Sequence, residues 1–199
     1  MTSTIELIKQ LREQTGAGVL DCRLALEQAN ADYQQALSAL REKAQAAAAR
    51  HADRPAEQGT VEIYSHGAGR IGVMVEVNTE TDFAARSPVF RAFVHELALH
   101  IAAAAPRYLR DEDIPAELLA QEAEKAAAQA RAAGQPEAIV TRIVDGYLTK
   151  FKNEQVLLHQ LSVRDDKVTI GALLSHAIAA VGENIIIRRF VRWERAEDQ

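Results

Sequence analysis

Between Ile71 and Ile101 the spacing of apolar residues changes from a period of two to a helical period. The change spans one short segment, Val77-Asn78-Thr79-Glu80-Thr81-Asp82-Phe83-Ala84-Ala85-Arg86. Ile71, Val73, Val75 and Val77 alternate with smaller or more polar neighbours, as one face of a strand requires. After Ser87-Pro88, the residues Phe90, Phe93, Val94, Leu97 and Ile101 fall on one face of a helix, with the proline at its start. A strand that turns into a long apolar helix needs a second layer to cover both, which points to an α+β domain. Phe83 lies between the two apolar sets and belongs to neither. Its ring either tucks under the turn, as large apolar groups usually do, or projects as a wedge for a partner.

The flanking sequence supplies the other elements. Ser3 and Glu6 have capping-box spacing, and Ile5, Ile8 and Leu11 then share one face. Gly16-Ala17-Gly18 breaks that helix. Val19, Cys22, Ala25, Leu26 and Ala29 make a second, and Asn30 or Asp32 caps a third carrying Tyr33, Ala36, Leu37 and Leu40. Helices this short bury little surface, so residues 1–54 are expected to form a small three-helix N-terminal module with a linker helix. The alanine-rich, charged stretch from Glu42 to Gln58 reads as a helical extension running into a mobile linker. Residues 55–199 are expected to form the core domain. Val61, Ile63 and Ser65 alternate, His66-Gly67-Ala68-Gly69 turns, and Arg70 to Asn78 returns, which is a hairpin. Pro106 ends the long helix, helical stretches follow over 115–133 and 136–160, and Thr169 caps another through Val181. Asn184 to Glu194 forms the last strand. The expected core is thus a three-stranded antiparallel sheet covered by helices on one side.

Charge and composition remove several functions. A net charge of −5 over 199 residues argues against nucleic acid as the main ligand, since phosphate binding needs a basic surface. Arg188, Arg189, Arg192 and Arg195 form a local basic stripe, but Glu183, Glu194, Glu197 and Asp198 surround it, so it reads as solvated strand charge. No apolar run approaches the ~20 residues needed to cross a bilayer, and the start of the chain lacks the pattern of a secretory signal. Cys22 is the single cysteine, which excludes an internal disulfide and fits a reducing cytoplasm.

Two motifs invite chemistry they do not support. Gly67-Ala68-Gly69-Arg70-Ile71-Gly72 spells the dinucleotide-binding G-x-G-x-x-G. That fingerprint needs a helix after it, to face the pyrophosphate, whereas Val73, Val75 and Val77 predict a strand. In His95-Glu96-Leu97-Ala98-Leu99-His100 the two histidines are five residues apart, roughly 140° around a helix, so they cannot chelate one ion. Cys22 reads as a small core residue on the inner face of its helix. With no paired carboxylates, no Ser–His–Asp pattern and no phosphate-cradling loop, the chain is expected to be no enzyme and to hold no metal or cofactor.

Three motifs carry a resemblance. Thr81-Asp82-Phe83 resembles the TDF corner of bacterial elongation factor Ts, and the likeness continues through Leu97–Ala103 to Pro106-Arg107-Tyr108-Leu109. Thr15-Gly16-Ala17-Gly18-Val19-Leu20-Asp21-Cys22-Arg23 is similar to that family's TGAGxxDCK signature, and Gly182-Glu183-Asn184-Ile185-Ile186-Ile187-Arg188-Arg189-Phe190 to its GENIxxRR signature. The resemblance implies a ubiquitin-associated-like N-terminal module and a guanine-nucleotide exchange factor for elongation factor Tu. In that family the module grips the GTPase domain, while the aromatic of the corner enters a gap between two of its helices and strains the magnesium and phosphate site. Carried over to this chain, the wedge is Phe83 beside Asp82, and the grip falls at Arg12, Val19 and Leu20.

The chain departs from the family pattern at Ala84, where valine is common, at Ser87-Pro88, where Asn-Glu is more typical, and at Leu24, where lysine is frequent. Its length leaves no room for both the second core subdomain and the helical hairpin of longer members. Short members pair their sheets as dimers, so the resemblance implies a homodimer, with Trp193 and Phe190 as candidates for the paired face. A protein-binding adaptor that leaves nucleotide affinity unchanged is the main alternative. A nicotinamide enzyme, resting on the glycine motif alone, is the other.

Overall fold

The computed structural model describes residues 3–195; Glu197 and Asp198, set beside the basic stripe above, lie outside them. The chain packs as two compact units, Met1–Ala102 with Gly171–Gln199, and Ala103–Ile170. The sequence-based boundary at 54/55 falls inside the first of these.

The first unit opens with three helices, α1 (Thr4–Thr15), α2 (Val19–Gln28) and α3 (Tyr33–His51). Ser3 caps α1 by accepting the Glu6 N–H at 3.3 Å, and Asp32, not Asn30, caps α3 by accepting from Gln35 at 3.0 Å. Gly16 ends α1 in the left-handed conformation, φ 64°, which costs a residue without Cβ nothing. Leu11, Cys22, Leu26, Ala36, Leu37 and Leu40 form the module's core, with Leu7 and Ile8 packed on it. Ile5, expected on that face, is exposed instead: the inward stripe of α1 runs through Leu7, Ile8 and Leu11.

The third helix continues through the alanine-rich stretch to His51, and the segment after it is not the free linker that composition suggests. Asn184 donates to the Ala52 and Arg54 carbonyl oxygens at 3.3 and 2.7 Å, and Asn78 donates to the Ala56 carbonyl at 3.2 Å. Composition reads side chains, whereas here it is backbone carbonyls that hold the segment.

A hairpin follows, β1 (Gln58–His66) and β2 (Ile71–Thr79), then α4 (Asp82–Arg86) and α5 (Pro88–Ala104). The hairpin turn puts Gly67, Ala68 and Gly69 at φ 60°, 55° and 86°, so the glycines serve a left-handed turn between two strands. The dinucleotide fingerprint is thereby excluded, because β2 occupies the place of the required helix. After the second unit come α8 (Ile170–Val181) and β3 (Ile185–Glu194). The sheet has order β1-β2-β3, antiparallel throughout, with a bulge on β3 where Glu76 faces Arg189 but Val77 faces Ile187.

The two faces of this sheet differ. Val73, Val75, Val77, Ile185 and Ile187 are buried, beside the fully buried Phe90, Leu97 and Ile101 of α5. His95 on α5 contacts Glu62 of β1 at 2.9 Å and meets the Tyr64 ring edge-on, and Arg192 of β3 donates to the Ala102 carbonyl at 3.0 Å. The opposite face presents Val61, Ile63, Met74, Val191 and Trp193, all exposed, with Ile63 at 72 % and Trp193 at 71 %. Trp193 is therefore on the open face, as expected, but Phe190 is not. Its partner across the ladder is the buried Val75, which places it on the helix side.

The second unit is built on α6 (Ala116–Ala132) and α7 (Glu137–Gln155), joined at Gly134 and Pro136. Ala127, Ala130 and Val140 pack with Val144 between them. Tyr147 donates to Glu122 at 2.6 Å, Arg131 pairs with Glu137 at 2.7 Å and Lys152 pairs with Asp111 at 2.9 Å. No helix among the described residues is long and apolar enough to cross a membrane.

Candidate functional site

The corner after β2 is a pair of consecutive helix caps written into Thr81–Pro88. Thr81 is extended, φ −125° and ψ 157°, and its hydroxyl accepts the Ala84 N–H at 3.2 Å, which starts α4. Ser87 then donates its N–H to the Ala84 carbonyl at 3.0 Å and accepts the Phe90 N–H on its own hydroxyl at 3.2 Å, ending one helix and starting the next. Pro88 takes the first position of α5, where a missing N–H costs nothing. Ala84 faces inward and is buried. Its neighbour Phe83 points out and is 81 % exposed. Of the two readings open in the sequence, the tuck is excluded and the projecting ring is what the fold presents. Asp82 does not stand alone: its carboxylate pairs with Arg86 at 2.9 Å, one turn along.

The corner is held from a distance in sequence. Glu183, in the loop after α8, accepts the Thr81 N–H at 2.9 Å, the Thr81 hydroxyl at 2.7 Å and the Thr79 hydroxyl at 3.2 Å. Its neighbour Asn184 gives its N–H to Glu80 at 2.6 Å, and Arg54 lies 3.6 Å from the same oxygen. The Asn184 hydrogen bond, helped by the Arg54 charge, holds the Glu80 carboxyl below its ordinary value against the opposing effect of burial.

On the module, Val19 and Leu20 stand at the start of α2, 52 % and 59 % exposed, where Gly18 provides no side-chain cap. Arg12 is exposed on α1. Leu24 is exposed one turn beyond Leu20 and so continues the same outward stripe. Arg12, Val19 and Leu20 thus lie on the module, and Asp82 and Phe83 on α4. The two sets are tied through residues 183 and 184, since Glu183 binds Thr81 while Asn184 binds Ala52 and Arg54. Sequence reasoning noted Leu24 only as a departure, and placed Glu183 only in the GENIxxRR signature and among the acids around the basic stripe. Spacing alone had no means of finding a contact across a hundred residues.

The remaining candidates are accounted for structurally. Cys22 is fully buried in the module core and burial pushes its thiol up, the opposite of what a nucleophile needs. His95 sits on Glu62 and His100 is fully buried, so the two imidazoles do not share a site. No group of three or more metal-ligating side chains is present among the described residues. In the basic stripe, Arg189 pairs with Glu76 and Arg192 with Glu194, each at 2.8 Å.

The fold and the corner define an α+β protein with an N-terminal helical module and an exposed aromatic between a strand and a helix. The family model described as elongation factor Ts matches residues 4–177. Elongation factor Ts of Acetivibrio thermocellus is 51 % identical over 194 residues, covering 98 % of this chain and 90 % of that protein. The protein of the same name from Caldanaerobacter subterraneus subsp. tengcongensis is 52 % identical over 192 residues, 96 % of each chain. That of Coprothermobacter proteolyticus is 47 % identical over 197 residues, covering 99 % of this chain and all of the relative. The chain belongs to the elongation factor Ts family, and its role is that of a translation elongation factor.

Proposed function

We propose that the protein is the guanine-nucleotide exchange factor of elongation factor Tu, acting in the cytoplasm and making or breaking no covalent bond. The module, through Arg12, Val19 and Leu20, holds the GTPase domain. The corner then inserts Phe83 and disturbs the magnesium and phosphate site, which stabilises the nucleotide-free state. Linkage requires the effect to run both ways: a contact that weakens GDP binding is itself weakened by GDP. The observation that carries the reading is the outward ring of Phe83 on a doubly capped corner. With the corner's backbone already fixed, insertion has only the two χ angles of the phenyl ring left to order.

The open sheet face supports a second element of the proposal, that the protein works as a homodimer through that face. A contiguous set of apolar side chains including a tryptophan is unusual on a surface that stays in water. Such a pair holds together without a disulfide, since Cys22 is the chain's one cysteine and is buried.

The test is release of a fluorescent GDP analogue from elongation factor Tu with catalytic amounts of the protein. Acceleration is the expected result. Binding to elongation factor Tu without any change in GDP release would replace this reading with the adaptor.

A further inference from the structure

We infer that Glu183 is a positioning residue for exchange, holding the corner so that Phe83 is presented in one orientation; this rests on the exchange reading above. Three donors converge on this one carboxylate: the Thr81 N–H and the Thr79 hydroxyl on one oxygen, and the Thr81 hydroxyl on the other at 2.7 Å. An ionised carboxylate only accepts hydrogen bonds, so the direction of each bond is fixed. The consequence falls on Thr81. Its single hydroxyl proton goes to Glu183, which leaves a lone pair for the Ala84 N–H, the bond that starts α4. The carboxylate thus selects the hydroxyl orientation in which Thr81 acts as a cap. With only five residues, α4 has too few internal bonds to hold itself, and Phe83 is its second residue.

The loop that carries Glu183 is itself directed. Gly182 closes α8 at φ 78° with its N–H on the Ile178 carbonyl at 2.8 Å, and the chain leaves toward β3. Asn184 then binds Glu80 and the Ala52 and Arg54 carbonyls. Glu183 is thereby held from both sides in sequence, and its half-buried side chain touches the corner through Thr79 and Thr81.

A double-mutant cycle tests this, using the full chain and elongation factor Tu loaded with a fluorescent GDP analogue. Glu183→Ala is expected to lower the release rate at saturating protein by roughly tenfold, about 1.4 kcal/mol, and to leave the half-saturating concentration within about twofold, because the module's contacts remain. In a Phe83→Ala background the same change should cost less than about twofold, since a corner without its ring has nothing to aim. Glu183→Gln, which keeps the shape and one acceptor, should fall between wild type and alanine, and serves as the reading should the alanine variant fold poorly. Equal losses in both backgrounds, or no loss in either, overturn the positioning role. A wild-type protein that leaves GDP release unchanged overturns the exchange reading, and this inference with it.

Discussion

Replacing Phe83 by alanine separates the two jobs an aromatic residue can do. In the free protein the ring is 81 % exposed, so its removal opens no cavity and strips little packing. A surface change of this kind stays within about 0.5 kcal/mol, or less than about 2 °C in Tm for a chain of this size. On the partner the same exposure becomes an advantage. Full burial of a phenyl ring is worth about 1.5–3 kcal/mol, and the exposed four-fifths of it leaves about 1.2–2.4 kcal/mol to be gained on insertion. If that gain is made only when GDP is leaving, it converts to roughly eight- to sixty-fold in rate. The assay is the GDP-release measurement at saturating protein, run beside a thermal melt. A variant that melts several degrees lower refutes the exposed-ring argument. A variant that melts normally and still exchanges at the wild-type rate refutes the wedge. Acceleration well beyond sixty-fold by the wild type requires that the rest of the interface contribute as well.

Val19→Ser and Leu20→Ser should each weaken binding to nucleotide-free elongation factor Tu about fivefold while lowering Tm by no more than about 4 °C, since only the covered half of each side chain contributes to the fold. Each half-exposed side chain offers about 1 kcal/mol of further burial, and calorimetric titration measures the loss. Trp193→Glu should turn a dimer into a monomer in sedimentation equilibrium by placing a charge within the apolar sheet face; an unchanged mass rejects that face as the interface. His176, on α8, is buried, its Nδ1 has no hydrogen-bond partner among the described residues, and burial followed by the Arg41 charge lowers its pKa from the ordinary 6.5. The unfolded chain therefore takes up a proton on acidification before the folded one does, so stability falls as pH drops below about 6.5. His176→Gln should flatten that part of the profile, measured as urea midpoints at about pH 7.5 and 5.5, and parallel profiles would dismiss the effect.

The elements were legible wherever one period dominated. Phe90, Phe93, Val94, Leu97 and Ile101 were spaced as a buried helix face and are buried, and the glycine turn was recognisable because a strand pattern followed it. What escaped depends on a single irregularity or on distance. Counting by twos from the buried Ile187 puts Arg189, Val191 and Trp193 inside and Phe190 outside. The bulge at Arg188 reverses this, so Phe190 turns in and Trp193 turns out. No local pattern marks a bulge in a strand this rich in arginine and β-branched residues. The corner aromatic, Phe83, was visible in the sequence but its direction was not, since strand–turn–helix spacing leaves such a ring free to point either way. The Glu183 clamp joins groups 102 and 104 residues apart and comes into being only when β3 pairs with β2.

The bulge at Arg188 also gives the protein its own optical gauge. Because it turns Trp193 outward, the chain's single tryptophan lies on the open sheet face, well away in sequence from Phe83 and the α2 leucines. Its emission therefore reads whether that face is wet or covered. Dilution through the dissociation of a sheet-paired dimer would shift the emission to the red, with no label attached and no residue changed.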